Sequence, residues 1–452
     1  MRSMIEDNIE RLRQEVSAAL EADSGEAISE ILHTINIAET SSLLDSLPSQ
    51  QRDLLWPNIE PVYLGAVLLE TGDEVRDNIL KELSPREIAT IIETLPDVDD
   101  QADIILSLPT ENLVKVLHTL DAQKREKLES VLSYSDDTAG GLMNIDQITI
   151  RADVSLDVVL RYLRIRGEMP DHTDQLFVTD RYDHYLGALY LRDLLTNDPD
   201  VMVKSIMRSD ISAMSAHLSD TEVAREFENY DLVSAPIVDE QHKLIGRITI
   251  DDVVDVIRDE SEHSIMSMAG LGEDEDIFSP ALTSAKRRGV WLGINLLTAF
   301  LAAAVIGFFE DILDQVVALA ILITIVPSMG GIAGSQTLTL AIRGLALGQL
   351  GSSNYKSLIK KEISIGILNG LIWALVVAAF SIIWFGNFNI GAIIAFALIV
   401  NLVAGAFAGA VIPILLRQMG IDPAIAGGVV LTTVTDVIGI VAFLGMATLV
   451  LA

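Results

Sequence analysis

Along residues 1–135 apolar residues return every three or four positions, the spacing of one buried face on an α-helix. Leu47-Pro48, Leu95-Pro96 and Leu108-Pro109 punctuate that stretch. Proline suits a helix start and ends the helix before it, so the region predicts short antiparallel helices stacked as a superhelix. From 138 to 258 the pattern changes and the chain repeats itself. Phe177-Val178-Thr179-Asp180 followed by Leu186 to Leu194 matches Pro236-Ile237-Val238-Asp239 followed by Ile245 to Val253, at an offset of 59 residues. Met143 and Met207 match at an offset of 64, which places a five-residue insertion in one copy. Each copy reads as strand, glycine turn, strand, then a helix opened by an aspartate.

Beyond Lys286 polar positions almost vanish. Residues 289–309 and 315–342 carry no charge, and 423–452 carry only Asp436. The uncharged run 363–416 is too long for one crossing and breaks at Gly386-Asn387-Phe388-Asn389. Roughly 20 apolar residues cross a bilayer core. Five transmembrane helices are therefore predicted, at about 290–309, 315–342, 363–384, 390–416 and 423–451.

Charge divides the chain at the same place. Of 452 residues, 31 are Lys or Arg and 64 are Asp or Glu, for a net charge of −33, while mean hydropathy is +0.41. Residues 286–452 hold 8 basic and 6 acidic residues; residues 1–285 hold 23 and 58, or −35. A soluble half of that sign repels nucleic acid, which is bound through basic patches. The absence of cysteine excludes disulfide frameworks, thiolate metal sites and thiol catalysis. No basic-then-apolar leader occupies the first thirty residues, so the N-terminus is expected to stay in the cytoplasm.

Orientation follows from the flanking basic residues. Lys286, Arg287 and Arg288 precede the first span, Arg343, Lys356, Lys360 and Lys361 lie between the second and third, and Arg417 follows the fourth. The opposite loops, 310–314 and 385–389, contain no Lys or Arg, which predicts N-in, C-out. Glu310, Asp311 and Asp314 in the first outer loop either concentrate cations at a mouth or solvate an interface.

Asp436 is the most informative residue. A carboxylate at the centre of a membrane helix costs roughly 2.5–3.5 kcal/mol on insertion scales. If Asp422 marks the cytoplasmic start of that helix, Asp436 stands about 20 Å farther along it at ~1.5 Å per residue. No Lys, Arg or His lies within any predicted span. A lone acid there points to cation passage or to a carried proton. Thr432, Thr433 and Thr435 bring oxygens to the same helix, or bond back to its own carbonyls, and Gly427, Gly428 and Gly439 permit close helix approach. The second span carries Pro327 and Gly330-Gly331-Ile332-Ala333-Gly334-Ser335-Gln336-Thr337. Such a run loosens a helix, tolerated where protein or a cavity covers it, or simply packs closely. Oxygen ligands without cysteine or intramembrane histidine suit Mg²⁺ or Ca²⁺ over zinc or copper. Two copies of Asp436 across a dimer axis would hold a hydrated Mg²⁺ through its waters.

The repeat resembles a tandem pair of CBS (cystathionine-beta-synthase-type) modules. Such pairs often bind adenine nucleotides, so ATP is a ligand the resemblance allows, although no residue here identifies it. With an acidic helical region before it and five spans after it, the chain as a whole resembles the MgtE-type magnesium channel family. The most specific likeness is Gly420-Ile421-Asp422-Pro423-Ala424 through Thr432-Thr433-Val434-Thr435-Asp436. The family's Gly-Gly-x-x-Gly-x-Gln motif stands at Gly330-Gly331-Ile332-Ala333-Gly334-Ser335-Gln336, and Gly409 and Pro413 match the end of its fourth helix. The resemblance implies a homodimeric Mg²⁺-selective channel of the bacterial inner membrane whose second and fifth helices line the pore. Asp436 would meet the hydrated ion. Asp422 would lie at the pore entrance, and Gly330, Gly331, Gly334, Gln336, Gly428 and Thr432 would line the path. It also implies a gate closed by cytosolic Mg²⁺, through Asp231, Asp252, Asp255, Glu260, Asp99 and Asp103. Two positions depart from the family: His263-Ser264 replaces an acidic pair, with Glu262 adjacent, and Ile332 replaces an asparagine.

The expected organisation is multidomain. An all-α superhelical N-domain covers 1–135, and an α/β CBS pair covers 136–200 and 201–258. A connecting (plug) helix covers 259–285, and an α-helical membrane domain of five transmembrane helices covers 286–452. The expected function is Mg²⁺ passage into the cell, with no enzymatic chemistry: no nucleophile–base constellation or Walker-type loop is present. The rivals are a divalent-cation exchanger coupled to protons or sodium, and a membrane-bound nucleotide or metal sensor without transport.

Overall fold

The computed structural model describes residues 2–22, 24–271, 275–351 and 353–451. Contacts divide the chain into two units. One comprises Met1–Glu262 with Asp274–Ser279, the other His263–Glu273 with Pro280–Ala452.

The first unit opens with ten short α-helices among the described residues, from Arg2–Glu21 to Ala122–Val131. The Leu-Pro pairs act as expected. Leu47, Leu95 and Leu108 are buried, while Pro48 and Pro109 stand at the N-caps of Ser49–Leu55 and Thr110–Thr119. Asn36 with Glu39 and Ser84 with Glu87 form capping boxes, each satisfying two backbone N–H groups that no helical carbonyl can reach. The helices close over two cores. Leu43, Leu44, Leu47 and Leu55 form one, and Ile88, Ile92, Ile104 and Ile105 form the other.

Two three-stranded sheets follow. β1 (Thr149–Arg151) runs parallel to β2 (Gln175–Thr179), which pairs antiparallel with β3 (Tyr185–Tyr190). β4 (Met214–Ser215), β5 (Ser234–Val238) and β6 (Leu244–Thr249) repeat that order. The duplication extends to irregularities: the register shifts between Val178 and Thr179 and again between Ile237 and Val238. Asp183 and His242, also 59 apart, both adopt positive φ. The upstream segments cross over, so that Arg208 pairs with Ala188 of β3 and Asn144 with Arg247 of β6. That crossing explains the repeated glycine. A Cβ at Gly187 would stand 2.4 Å from the Arg208 carbonyl oxygen, and one at Gly246 would stand 2.8 Å from Met143 Sδ.

The helix after β6 runs unbroken over Ile250–Met268, so it passes position 258 without a stop and ends inside the expected connecting segment. Residues 275–279 then dock on the helical region. The Arg52 guanidinium grips Asp276 in a fork, at 2.6 and 2.9 Å, with both side chains about 5% exposed or less. Arg52 Nε donates to the Leu44 carbonyl at 2.8 Å, and Glu74 accepts from the Asp276 N–H at 3.0 Å and from the Ser279 hydroxyl. This strap directly precedes Pro280, the N-cap of the first membrane helix.

In the second unit, among the described residues, five helices are long and apolar enough to cross a membrane: Ala281–Gly307, Val317–Ala346, Tyr355–Phe385, Phe388–Gln418 and Pro423–Leu451. The first and third start earlier than the uncharged runs suggested, because the helix continues through interfacial Lys and Arg whose long stems reach water. The second is interrupted at 323–324, where Pro327 cannot supply a hydrogen bond to the carbonyl four residues back. The outer acids Glu310, Asp311 and Asp314 form a short helix, Glu310–Gln315. The fourth helix is the most enclosed of the five, and its Ile393, Ile394, Ala397 and Leu398 pack with Phe443 and Leu444 of the fifth.

Removing one member of a buried ion pair strands the other charge and typically costs about 3–5 kcal/mol. Arg52→Leu is therefore expected to lower the urea midpoint of the soluble unit markedly, and Arg52→Leu with Asp276→Leu to recover much of the loss. Urea unfolding of the solubilised full chain checks this; equal loss in both would contradict it.

Candidate functional site

Asp436 lies in the middle of Pro423–Leu451, partly buried, and among the described residues no hydrogen bond or ion pair reaches its carboxylate. The neighbouring hydroxyls are turned inward along their own helix. Thr432 donates to the Gly428 carbonyl at 2.9 Å, Thr433 to Val429 at 2.8 Å and Thr435 to Leu431 at 3.1 Å. Each hydroxyl spends its proton on the backbone and keeps only lone pairs to offer. Thr435 is fully buried, so Thr432 and Thr433 are the oxygens with an open side.

The glycine run of the second helix splits by face. Gly330 and Gly334 are buried against the fourth helix: a Cβ at Gly330 would meet Asn401 Nδ2 at 2.1 Å, and one at Gly334 would meet the Gly405 carbonyl oxygen at 3.0 Å. Gly331 is half-buried, and a Cβ there would lie 3.8 Å from Thr435 Oγ1 on the fifth helix. Gln336, Ile332 and, on the fifth helix, Gly428 are exposed in the single chain. Asp422 caps the fifth helix, its carboxylate accepting from the Ala424 N–H at 2.8 Å. His263 Nε2 stands 2.7 Å from the other Asp422 oxygen. A histidine thus meets Asp422 directly.

Asp99, Asp100 and Asp103 lie on one helix of the first unit, and Asp252 and Asp255 on another. Burial first, then the charges of Asp252, Asp100 and Asp97, push the Asp99 carboxyl well above the usual range. The same causes raise Asp100 to about 7, with Asp97, Asp103, Asp252 and Asp251 as its charged neighbours. Asp103 rises to about 6 through burial, with Arg76 opposing and Asp255 adding. Asp252 rises to about 7 through burial and Asp251, against hydrogen bonds from Thr249. The helix Val98–Leu106 and the start of Ile250–Met268 therefore face each other with like charge. Asp99 Oδ1 is buried without a hydrogen-bond partner. Among the described residues, no three acidic or histidine side chains converge as a ready metal cage. Carboxylate oxygens are the ligand type Mg²⁺ takes, and it retains several of its waters when bound.

Asp231 ends the helix Asp220–Tyr230 in a left-handed conformation, φ 50°, and is exposed, as is Glu260.

Comparison with known proteins gives the lineage. A divalent cation transporter family model, MgtE, matches residues 323–446, the MgtE intracellular N domain matches 35–137, and a CBS domain matches 203–259. The magnesium transporter MgtE of Bacillus subtilis (strain 168) is 31% identical over 360 residues, 80% of each chain. The chain belongs to the MgtE family. The MgtE magnesium transporter of Thermus thermophilus aligns over 98% of this chain and 99% of its own, at 29% identity. A solved cytosolic domain of the Mg²⁺ channel MgtE in complex with ATP covers 54% of this chain and 99% of its own, at 30% identity and a TM-score of 0.49.

In this MgtE-family chain three features escaped sequence reasoning. Asp100 stands between Asp99 and Asp103 in the sequence, but which face of its helix is buried depends on tertiary packing. Glu362 read as a flanking charge outside a span, and it is 5% exposed between helices. The partner of Asp422 had no local signal, since His263 lies 159 residues away.

The raised carboxyls make a signed prediction. The folded chain holds protons on Asp99, Asp100, Asp103 and Asp252 that an unfolded chain releases near pH ~3.9. Stability from these groups is complete below that pH and lost as pH climbs through about 6 and 7. In chelator, hydrogen-exchange protection of Val98–Leu106, corrected for intrinsic rates, should fall between roughly pH 5 and pH 8. Mg²⁺ should restore it at the higher pH and add little at the lower; protection indifferent to both would exclude this coupling.

Proposed function

We propose that this chain forms a homodimeric Mg²⁺ channel that admits Mg²⁺ to the cytosol across the bacterial inner membrane. The N-terminus is cytoplasmic and the C-terminus outside. The reading rests on one observation above all: a carboxylate in the middle of an apolar spanning helix, with no donor or cation among the described residues to compensate it. Such a group needs water or a passing cation. Magnesium transporters among its relatives support the choice of cargo.

Asp436 attracts the ion through its hydration shell, since Mg²⁺ sheds water reluctantly. Asp422 stands at the cytoplasmic mouth. Gly331, Gln336, Gly428 and Thr432 line the path, with Gly330 and Gly334 holding the backbone that carries it. The gate is the acid cluster. At low Mg²⁺ the like charges of Asp99, Asp100 and Asp103 against Asp252 and Asp255 hold the two helices under repulsion. A divalent ion among these oxygens supplies the missing positive charge. The long helix Ile250–Met268 continues into the membrane unit, so its position transmits the change to the mouth. High cytosolic Mg²⁺ closes the channel and depletion opens it.

In proteoliposomes, Asp436→Ala is expected to abolish Mg²⁺ flux and Asp436→Asn to reduce it severely. Flux that persists in Asp436→Ala would sink the pore assignment, and uptake that requires an opposing proton or sodium gradient would mark an exchanger. Tryptic cleavage of the soluble unit should slow as Mg²⁺ rises; identical digestion with chelator and with excess Mg²⁺ would remove the gating claim.

A further inference from the structure

Two buried polar side chains grip the second membrane helix from behind, and neither belongs to the path proposed above. Asn401 of Phe388–Gln418 is fully buried, and its Nδ2 donates to the Val326 carbonyl at 2.7 Å, one turn before Gly330. Its amide occupies a slot between two glycines. A Cβ would come within 2.1 Å of Nδ2 at Gly330 and within 2.8 Å at Gly439, three residues past Asp436. Glu362 of Tyr355–Phe385 lies near the other end of the run. Its Oε2 accepts from Thr337 Oγ1 at 3.0 Å, while Lys361 Nζ, itself mostly exposed, lies 3.4 Å from Oε1. Gly409 backs that contact, since a Cβ there would stand 3.0 Å from Thr337 Cβ.

Gly331 to Gln336 lie between these anchors. Stability alone explains them poorly. Asn401 Oδ1 is buried without a hydrogen-bond partner, Glu362 Oε1 has only the mostly exposed Lys361 ammonium beside it, and interhelical bonds in membranes contribute little on average. A polar group kept in a membrane interior at such a penalty usually serves function. Ile332, Ser335 and Gln336 of this segment are exposed in the single chain, so that face has little packing to fix the backbone. Discrimination between hydrated ions needs that backbone held to a fraction of an ångström.

We propose that Asn401 and Glu362 are positioning residues that clasp the Gly330–Gln336 segment at both ends and thereby set ion discrimination at Asp436. This rests on the reading of the second and fifth helices as pore helices. Full-length protein in proteoliposomes tests it through Mg²⁺ and Ca²⁺ flux measured across a concentration series. Thr337→Val, which removes only a hydroxyl, Glu362→Leu and Asn401→Leu should each weaken Mg²⁺-over-Ca²⁺ discrimination about fivefold, within the range of indirect couplings. Glu362→Gln keeps an oxygen for Thr337 and should restore most of it. Thr337→Val with Glu362→Leu should be no worse than either alone. Wild-type discrimination in Thr337→Val and Asn401→Leu overturns the clasp, as does a Glu362→Gln protein as impaired as Glu362→Leu. Asp436→Ala, run beside them, separates the two readings. Abolished flux there with intact discrimination in the clasp variants removes the clasp alone, and full flux there removes the pore reading beneath it.

Discussion

An ionised carboxylate surrounded by hydrocarbon persists only where water or a cation reaches it, and Asp436 imposes that condition on the membrane half. Its own helix satisfies the demand by making itself a poor competitor. Three threonine hydroxyls nearby donate to backbone carbonyls, so none of them neutralises the acid by hydrogen bonding. Close approach of the second, fourth and fifth helices depends on glycines: Gly330, Gly334, Gly405, Gly409 and Gly439 each leave a space that a methyl group would overfill. These three helices are thus joined through backbone and small side chains, which lets them pack closely.

The soluble half works with the same chemistry under a different constraint. There the uncompensated acids lie on two helices that must stay packed, and desolvation with mutual repulsion lifts their proton affinity. At neutral pH such a cluster is poised near the point where protons, a divalent ion or separation of the helices are alternative ways to relieve it. The overall charge of −35 on residues 1–285 adds a diffuse field, but screening at physiological salt confines it to roughly 8 Å. Under the proposed gating, the specific response therefore resides in the packed acids rather than in net charge.

How much of this was readable beforehand depended on whether the signal was local. Five apolar runs and a 59-residue repeat are local patterns, and the repeat was legible down to the glycine that reappears as Gly187 and Gly246. The family resemblance, carried by contiguous motifs around Asp422 and Asp436, was equally legible. Non-local pairings were not. Arg52 and Asp276 are 224 residues apart, and nothing in either neighbourhood distinguishes them from other exposed charges of an acidic domain. Glu362 was discounted for a related reason: counting charge-free windows places a helix end at the first charge, whereas the helix begins at Tyr355 and carries that carboxylate inward.

The contact between His263 and Asp422 completes the electrostatic picture. Two carboxylates facing each other at a helix start would require a cation to approach. An imidazole requires none, because its Nε2–H can donate to Asp422 while neutral, and the remaining carboxylate oxygen is already satisfied by the Ala424 N–H. An acid at position 263 would face Asp422 with like charge, whereas histidine leaves no repulsion there for a bound ion to relieve. The demand for a bridging ion then falls on acids whose repulsion persists, among them Asp99, Asp100 and Asp103 against Asp252 and Asp255. Under the proposed gating, Mg²⁺ sensing in this chain is concentrated in its soluble unit, and the end of the long helix is held at the fifth membrane helix by a direct hydrogen bond.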